Sequence, residues 1–304
     1  MARSKPPRTA FVLAGGSSLG ALQVGMLRAL YERRIRPDLI VATSTGALNG
    51  GFLAAHPPTV ETVDELAAIW RSLSRGQVFP LNPLTGLVGF AGIRKNFVSS
   101  RGIRQLISQH MTHHCMEELA IPLHVIATDV HTGEEVRLSQ GPLADALVAS
   151  ASVPGLLPPV EIGDRVLMDG GVANNTPISH AVELGARRIY VLPTGPGCSL
   201  DEPPQGALGM VIHGLNLLVQ GRLATDIERF ASAAELIVLP VPCPLPVHAM
   251  DFGHPDLLIG RAREEARTFL DRPVERPTID MDAARARRRS RRRSIVGAGP
   301  PGAA

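Results

Sequence analysis

Apolar residues along this chain follow two rhythms that alternate. Short apolar runs bounded by turn residues read as buried strands: Thr9–Ala14, Leu39–Ala42, Leu123–Val130, Arg188–Leu192 and Glu235–Leu239. Between them, apolar side chains recur at helical spacing. Leu22, Met26, Leu27, Leu30 and Tyr31 predict a helix from about Gly20 to Arg34. A second helix starts at Gly46, carries Ala47, Leu48 and Phe52, and stops near Pro57-Pro58, where proline removes a donor and clashes with the preceding turn. A third opens at Thr62-Val63-Asp64-Glu65 and runs through Trp70. Further helices are expected over Ser100–His110, Leu143–Ser150, about 206–232, and from His254-Pro255 to about Leu270. Thr176 reads as a cap with Pro177 at the first helical position. Leu123–Val130 and Glu135–Leu138 flank His131-Thr132-Gly133 as a hairpin, and Arg165–Met168 is a short strand that ends at Asp169. Strands alternating with helices imply an α/β protein: a mostly parallel sheet covered on both faces.

The pattern divides the chain into a flexible start over 1–8, one domain over 9–271, and a tail over 272–304. The tail's Arg, Pro, Gly and Ser cannot bury enough apolar surface to order themselves. Residues 76–98 form a Gly/Pro-punctuated stretch with apolar islands, either a lid or an insertion facing substrate. Hydrophobic residues make up 44% of the chain, enough for a sizeable core, but only 4% are aromatic, so that core rests on Leu, Val, Ile and Ala.

Net charge changes the picture once it is divided. The whole chain carries +3, yet residues 281–304 hold seven arginines and one acid, a net of +6, which leaves −3 for residues 1–280. The body is mildly acidic and gives no reason to expect nucleic-acid binding. The cluster Arg285 to Arg293 reads as a solvated end. Its sharper reading is attraction to anionic membrane, worth up to ~1 kcal/mol per residue near the surface. Cys115, Cys198 and Cys243 are scattered and odd in number, which argues against a disulfide framework and fits a reducing compartment. The apolar run Phe11–Ala14 breaks at Gly15, too short for a signal sequence, and no run approaches a membrane span. The chain is expected to be soluble and cytoplasmic, with peripheral membrane contact through the tail as an option.

Three segments carry candidate chemistry. The turn Gly15-Gly16-Ser17-Ser18-Leu19-Gly20 follows the first strand and opens a helix. Several backbone N–H groups on such a turn form an anion site. Ala42-Thr43-Ser44-Thr45-Gly46 follows the second strand and matches a nucleophile elbow, in which a sharp strand-to-helix turn holds a serine at its tip between small residues. Here Ala42 and Gly46 are the small neighbours. Asp169-Gly170-Gly171 places a carboxylate just past a strand, beside a glycine that lets another group approach closely. A hydroxyl, a carboxylate and free N–H groups are what acyl transfer from an ester requires.

Each segment has a competing reading. Ser44 could be a helix cap and Asp169 a turn aspartate bonded to its own backbone. The glycine turn partly matches a dinucleotide fingerprint, but Ser17 stands at the middle glycine and the ribose-binding acid would have to be Asp38, which lies in a turn before a strand. An α/β-hydrolase triad would draw on His180, His213, His248 or His254, none of which sits in a convincing strand-end loop. His110, His113, His114 and Cys115 suggest a metal site, but they crowd one helix end and no second cluster completes it.

In order, the motifs resemble the patatin-like phospholipase family over roughly residues 9–270. Leu13–Gly25 is similar to its oxyanion loop, Thr43–Asn49 to its nucleophile elbow, Ala149–Gly155 to the segment before its acid, and Met168–Pro177 to its D-G-G/A motif. The resemblance implies a three-layer α/β/α sandwich. It also implies a Ser44–Asp169 dyad acting on lipid acyl esters, an oxyanion hole from Gly15, Gly16 and Ser17, elbow support from Ala42, Gly46 and Gly170, and neither cofactor nor metal. Three positions depart from the family pattern: Ser17 replaces a third glycine, Leu19 a common basic residue, and Ala42 the first elbow glycine. A non-catalytic lipid-binding protein on the same fold, or a nucleotide-binding protein, is the rival reading.

Overall fold

Thr9–Leu13 (β1) and Leu39–Thr43 (β2) are apolar at successive positions because both faces of the sheet are covered. Phe11, Leu13, Ile40 and Ala42 enter one core cluster, whereas Ala10, Val12, Leu39 and Val41 enter another. Side chains alternate across a strand, so a strand buried on two sides loses its polar alternation and becomes a continuous apolar run. Burying each large aliphatic or aromatic side chain is worth about 1.5–3 kcal/mol.

A computed structural model of the chain describes residues 8–79, 98–195, 206–245 and 247–272. Its first helices are Ala21–Glu32 (α1), Thr45–Ala55 (α2), Val60–Ser72 (α3), Arg75–Val78 (α4) and Arg101–His110 (α5). Then come Leu123–Asp129 (β3), Glu135–Leu138 (β4), Leu143–Ser150 (α6), Val160–Ile162 (β5) and Arg165–Asp169 (β6). Gly171–Asn174 (α7), Ile178–Glu183 (α8), Arg188–Leu192 (β7), Gly206–Phe230 (α9), Glu235–Val238 (β8) and Pro255–Asp271 (α10) complete them. Residues of α1, α2, α3, α6 and α10 build the core on one face of the sheet. Ile178 and Ala181 of α8, with Leu223, Ile227 and Phe230 of α9, pack on the other. The result is a three-layer α/β/α sandwich.

The sheet's register decides where the chemistry sits. β1 pairs in parallel with β2 and β7, β2 with β3, and β7 with β8. β3 also pairs antiparallel with β4 over Val125–Thr128 and with β6 over Ala127–Asp129. A strand has two hydrogen-bonding edges. β4 overlaps both β2 and β6 along β3, so β4 holds one edge and β2 and β6 share the other. On that shared edge Thr43 stands opposite Ile126 and Asp169 opposite Ala127. β2 and β6 therefore run toward one another and end nose to nose on neighbouring positions of β3.

Several expectations are adjusted. α3 starts at Val60, with Thr59 Oγ1 accepting from the Thr62 N–H at 3.3 Å, while Thr62 Oγ1 donates to the Pro57 carbonyl at 2.6 Å. β5 is too short to show a rhythm among its prolines; it pairs with β6 across a turn at Gly163, whose φ is 63°. Thr176 makes no side-chain cap; it is buried, its carbonyl accepts from Ile178, and α8 begins one residue past Pro177. Cys243 is disulfide-bonded and Cys115 is free. Residues 1–7, most of the 76–98 stretch and the 285–293 arginine cluster lie outside the described residues. Among those described, no helix is long and apolar enough to cross a membrane.

Candidate active site

Where β2 ends, the chain must turn away from the oncoming β6, and Ser44 makes that turn at φ 55° and ψ −125°. A non-glycine residue at positive φ is strained by about 1–3 kcal/mol and persists only where its surroundings hold it. Here they do. The Ser44 N–H donates to Ser150 Oγ at 2.8 Å, and that hydroxyl donates onward to the Ile126 carbonyl at 2.6 Å. Ala47 and Leu48, in the first turns of α2, both donate to the Ser44 carbonyl. Gly46 lets α2 start against the glycine turn, since a Cβ there would overlap the Leu13 carbonyl and come within 2.6 Å of that of Ala14. Ala42 lies buried in β2 opposite Leu13 and Val125, and its methyl packs there without displacing the strand.

Asp169 ends β6 from the opposite direction. Its N–H donates to the Ser152 carbonyl at 2.9 Å, and its own carbonyl accepts from Thr128 Oγ1 at 2.9 Å. Gly170 follows with its N–H on the Ser150 carbonyl; a Cβ there would overlap the Ile126 carbonyl. The segment Ser150–Ser152 thus clamps both strand ends. The Ser44 hydroxyl donates to Asp169 Oδ2 at 2.6 Å, and the Gly171 N–H donates to Oδ1 at 2.7 Å. Burial pushes the Asp169 carboxyl up to about 6, against the lowering effect of the Ser44 hydroxyl and the Gly171 N–H. The structure therefore brings together the serine and the acid 125 positions apart.

The glycine turn lies against the serine: a Cβ on Gly15 would come within 2.9 Å of Ser44 Cβ. Its N–H groups are not equivalent. Gly15 donates to the Asn175 carbonyl at 3.2 Å, so that donor is occupied and is not open to an oxyanion. Ser18 donates to the Ala249 carbonyl and Leu19 to that of Gly16. Among the described residues, the N–H groups of Gly16 and Ser17 meet no acceptor. Ser17, at the position of the missing third glycine, takes φ 52°, the left-handed conformation a glycine would adopt without strain. Its hydroxyl contacts Met250 Sδ at 3.6 Å. Leu19, where a basic residue was expected, is buried in the core.

An apolar cleft opens beside Ser44, about 820 Å³ with its mouth included. Leu48, Phe52, Trp70, Phe79, Ile107 and Phe252 are among the residues that line it. Val78 and Phe79 bring the start of the 76–98 stretch to its wall.

The remaining candidates make other contacts, and His110 lines the cleft. Asp38 Oδ2 accepts from the Thr9 N–H at 2.7 Å, a clamp at the start of β1 rather than a ribose ligand. His180 Nε2 lies 2.8 Å from Glu135 Oε2, and His248 offers its carbonyl to Ser18 Oγ. Among the described residues, no three of His, Cys, Asp and Glu converge as ligands around His110–Cys115.

A patatin-like phospholipase family model matches residues 11–182, a span that includes the turn, the serine and the acid. The chain belongs to the patatin-like phospholipase family. A patatin-like phospholipase domain-containing protein of Caenorhabditis elegans is 34% identical over 213 residues, covering 69% of this chain and 15% of that relative. An uncharacterized NTE family protein of Mycobacterium bovis is 32% identical over 58% of this chain and 46% of its own length. A lysophospholipase of Mycosarcoma maydis is 28% identical over 67% of this chain and 10% of its own. The chain spans less than half of each of these relatives. Among solved structures, VipD from Legionella pneumophila aligns with a TM-score of 0.46 and 14% identity, over 88% of this chain and 67% of that one.

Sequence reasoning gave no role to four residues that hold the patatin-like site in shape: Ser150 and Asn175, which lie within segments that resemble family motifs, and Thr128 and Thr194, which nothing local marks. Gln23 and Asn49 carried a weak signal as amides on otherwise apolar helices. They are buried, with Gln23 Nε2 donating to the carbonyls of Ala14 and Leu192, and Asn49 Nδ2 to those of Gly20 and Gln23 Oε1.

Proposed function

We propose that this chain is a serine acyl hydrolase that cleaves fatty-acyl esters of lipids. The observation that carries this reading is the 2.6 Å hydrogen bond from a conformationally strained Ser44 to the buried carboxyl of Asp169. Ser44 Oγ attacks the ester carbonyl carbon while its proton passes to Asp169 Oδ2. The carbonyl oxygen becomes an oxyanion, held by the N–H groups of Gly16 and Ser17. The positive end of α2 adds to that stabilisation. Collapse of the intermediate breaks the bond to the alcohol, which leaves with the proton from Asp169. Water then attacks the acyl-enzyme, again losing its proton to Asp169, and the fatty acid departs as the proton returns to Ser44.

The apolar cleft supports an acyl chain as the group bound beside the serine, and the relative named lysophospholipase supports lysophospholipids among the substrates. An alkyl fluorophosphonate is expected to label the folded protein at Ser44, as read by peptide mapping. Absence of label from the Ser44 peptide would end this reading, since only an activated serine reacts.

The acid also sets a pH dependence. Only ionised Asp169 accepts a proton, and its carboxyl titrates at about 6. On a chromogenic acyl ester, kcat/KM is expected to rise with pH through about 6 and level off above it. A profile that is flat across that interval, or that falls, contradicts the assignment of Asp169 as base.

A further inference from the structure

The geometry points to Thr194 as a positioning residue for the oxyanion donor, an inference that rests on the acyl-hydrolase reading above. Thr194 lies just past β7 and is buried. Its hydroxyl donates to the Gly15 carbonyl. The same carbonyl accepts from Asn175 Nδ2 at 3.2 Å.

The peptide between Gly15 and Gly16 is planar and trans, so its carbonyl and its N–H point in opposite directions. Two donors holding the carbonyl therefore aim the Gly16 N–H the other way, where no described residue accepts it. This peptide also lies where aim matters. A Cβ on Gly15 would meet Ser44 Cβ at 2.9 Å, and a Cβ on Gly16 would overlap the Thr194 side chain.

The need for a clamp follows from the glycines themselves. Glycine's lack of a side chain lets it adopt φ of either sign, so a Gly-Gly peptide can rotate end over end with little steric resistance. A rotated peptide would present a carbonyl lone pair to the developing oxyanion, replacing attraction by repulsion. The glycines that allow close approach to the serine are the ones that leave the donor's direction unspecified. Thr194 and Asn175 supply that direction, from two segments that follow β7 and β6.

The test uses the full chain and a soluble chromogenic acyl ester, with rates divided by the number of sites that an alkyl fluorophosphonate titrates at completion. Thr194→Val keeps the branched shape and deletes the donor. It is expected to lower kcat by roughly 10- to 100-fold with KM within about twofold, less than outright removal of an oxyanion donor. Thr194→Ser keeps the hydroxyl and is expected to stay within about threefold of the parent. A merely structural role would instead lower the thermal midpoint of both variants and leave kcat per titrated site unchanged. The proposal is overturned if Thr194→Val retains the parent's kcat, or if Thr194→Ser loses as much as Thr194→Val. Should Thr194→Val not fold, Thr194→Ala is judged by the same criteria. Ser44→Ala is run beside them. Activity in that variant would sink the acyl-hydrolase reading itself, whereas an inactive Ser44→Ala with a fully active Thr194→Val sinks the positioning role alone.

Discussion

Ser44→Ala is expected to lose ester hydrolysis by on the order of a million-fold while remaining folded. The hydroxyl removed is the one that donates to Asp169 Oδ2 at 2.6 Å, the nucleophile of the proposed reaction. The remaining contacts of residue 44 are backbone contacts that alanine keeps: its N–H on Ser150 Oγ and its carbonyl under Ala47 and Leu48. Alanine also bears the positive φ at a strain similar to that of serine. The stability change should therefore be confined to one lost hydrogen bond at a buried carboxyl, about 1–3 kcal/mol. The measurement pairs the rate on a chromogenic acyl ester with thermal unfolding. A folded variant that keeps more than a trace of turnover would show that another group attacks the ester.

Asp169→Asn is expected to separate activity from stability. Without a proton acceptor, turnover should fall by at least on the order of ten-thousand-fold, the loss that follows when only the acid orienting the histidine of a serine triad is neutralised. Stability should move the opposite way. The folded protein raises this carboxyl from its ordinary 3.8 to about 6, so the folded state holds the proton more tightly than the unfolded chain. That contribution to stability is complete below about 3.8 and is lost as pH rises through about 6. Above that, the protein carries a buried carboxylate whose ionisation costs about 2–3 kcal/mol relative to the neutral form. Asparagine has the same shape, can still accept from the Gly171 N–H, and carries no charge. Urea unfolding at acidic and at mildly alkaline pH should therefore show Asp169→Asn gaining on the parent as pH rises. If its relative stability is independent of pH across that range, burial of the carboxylate is not the origin of the raised titration.

Both variants touch residues whose local setting is readable in one dimension. Val41-Ala42-Thr43-Ser44 announces a strand that stops at a small-residue turn, and Leu167-Met168-Asp169-Gly170 announces another. The glycine turn after Leu13 is equally plain. Less was legible where an element is short or a donor is hidden. β5 has three residues, too few for a period. α3 opens at Val60, two residues before the expected Thr62, because Thr59 supplies its cap by accepting from the Thr62 N–H. Gly15 reads as an oxyanion donor beside Gly16 and Ser17, yet its N–H is taken by Asn175, a partner 160 positions away.

The amino-acid sequence by itself determined the rhythm of elements, the two-sided burial of β1 and β2, and the chemical groups waiting at the strand ends. These follow from side-chain periodicity and turn chemistry, which act within a few residues. Only the tertiary structure decided that β2 and β6 share one edge of β3 and stop on adjacent positions, Thr43 opposite Ile126 and Asp169 opposite Ala127. It also decided which N–H groups remain open, through carbonyls and hydroxyls delivered by Ser150, Asn175 and Thr194. Strand order and register are set by how the whole sheet packs its two cores, and contacts made across more than a hundred positions leave no local trace in the chain that makes them.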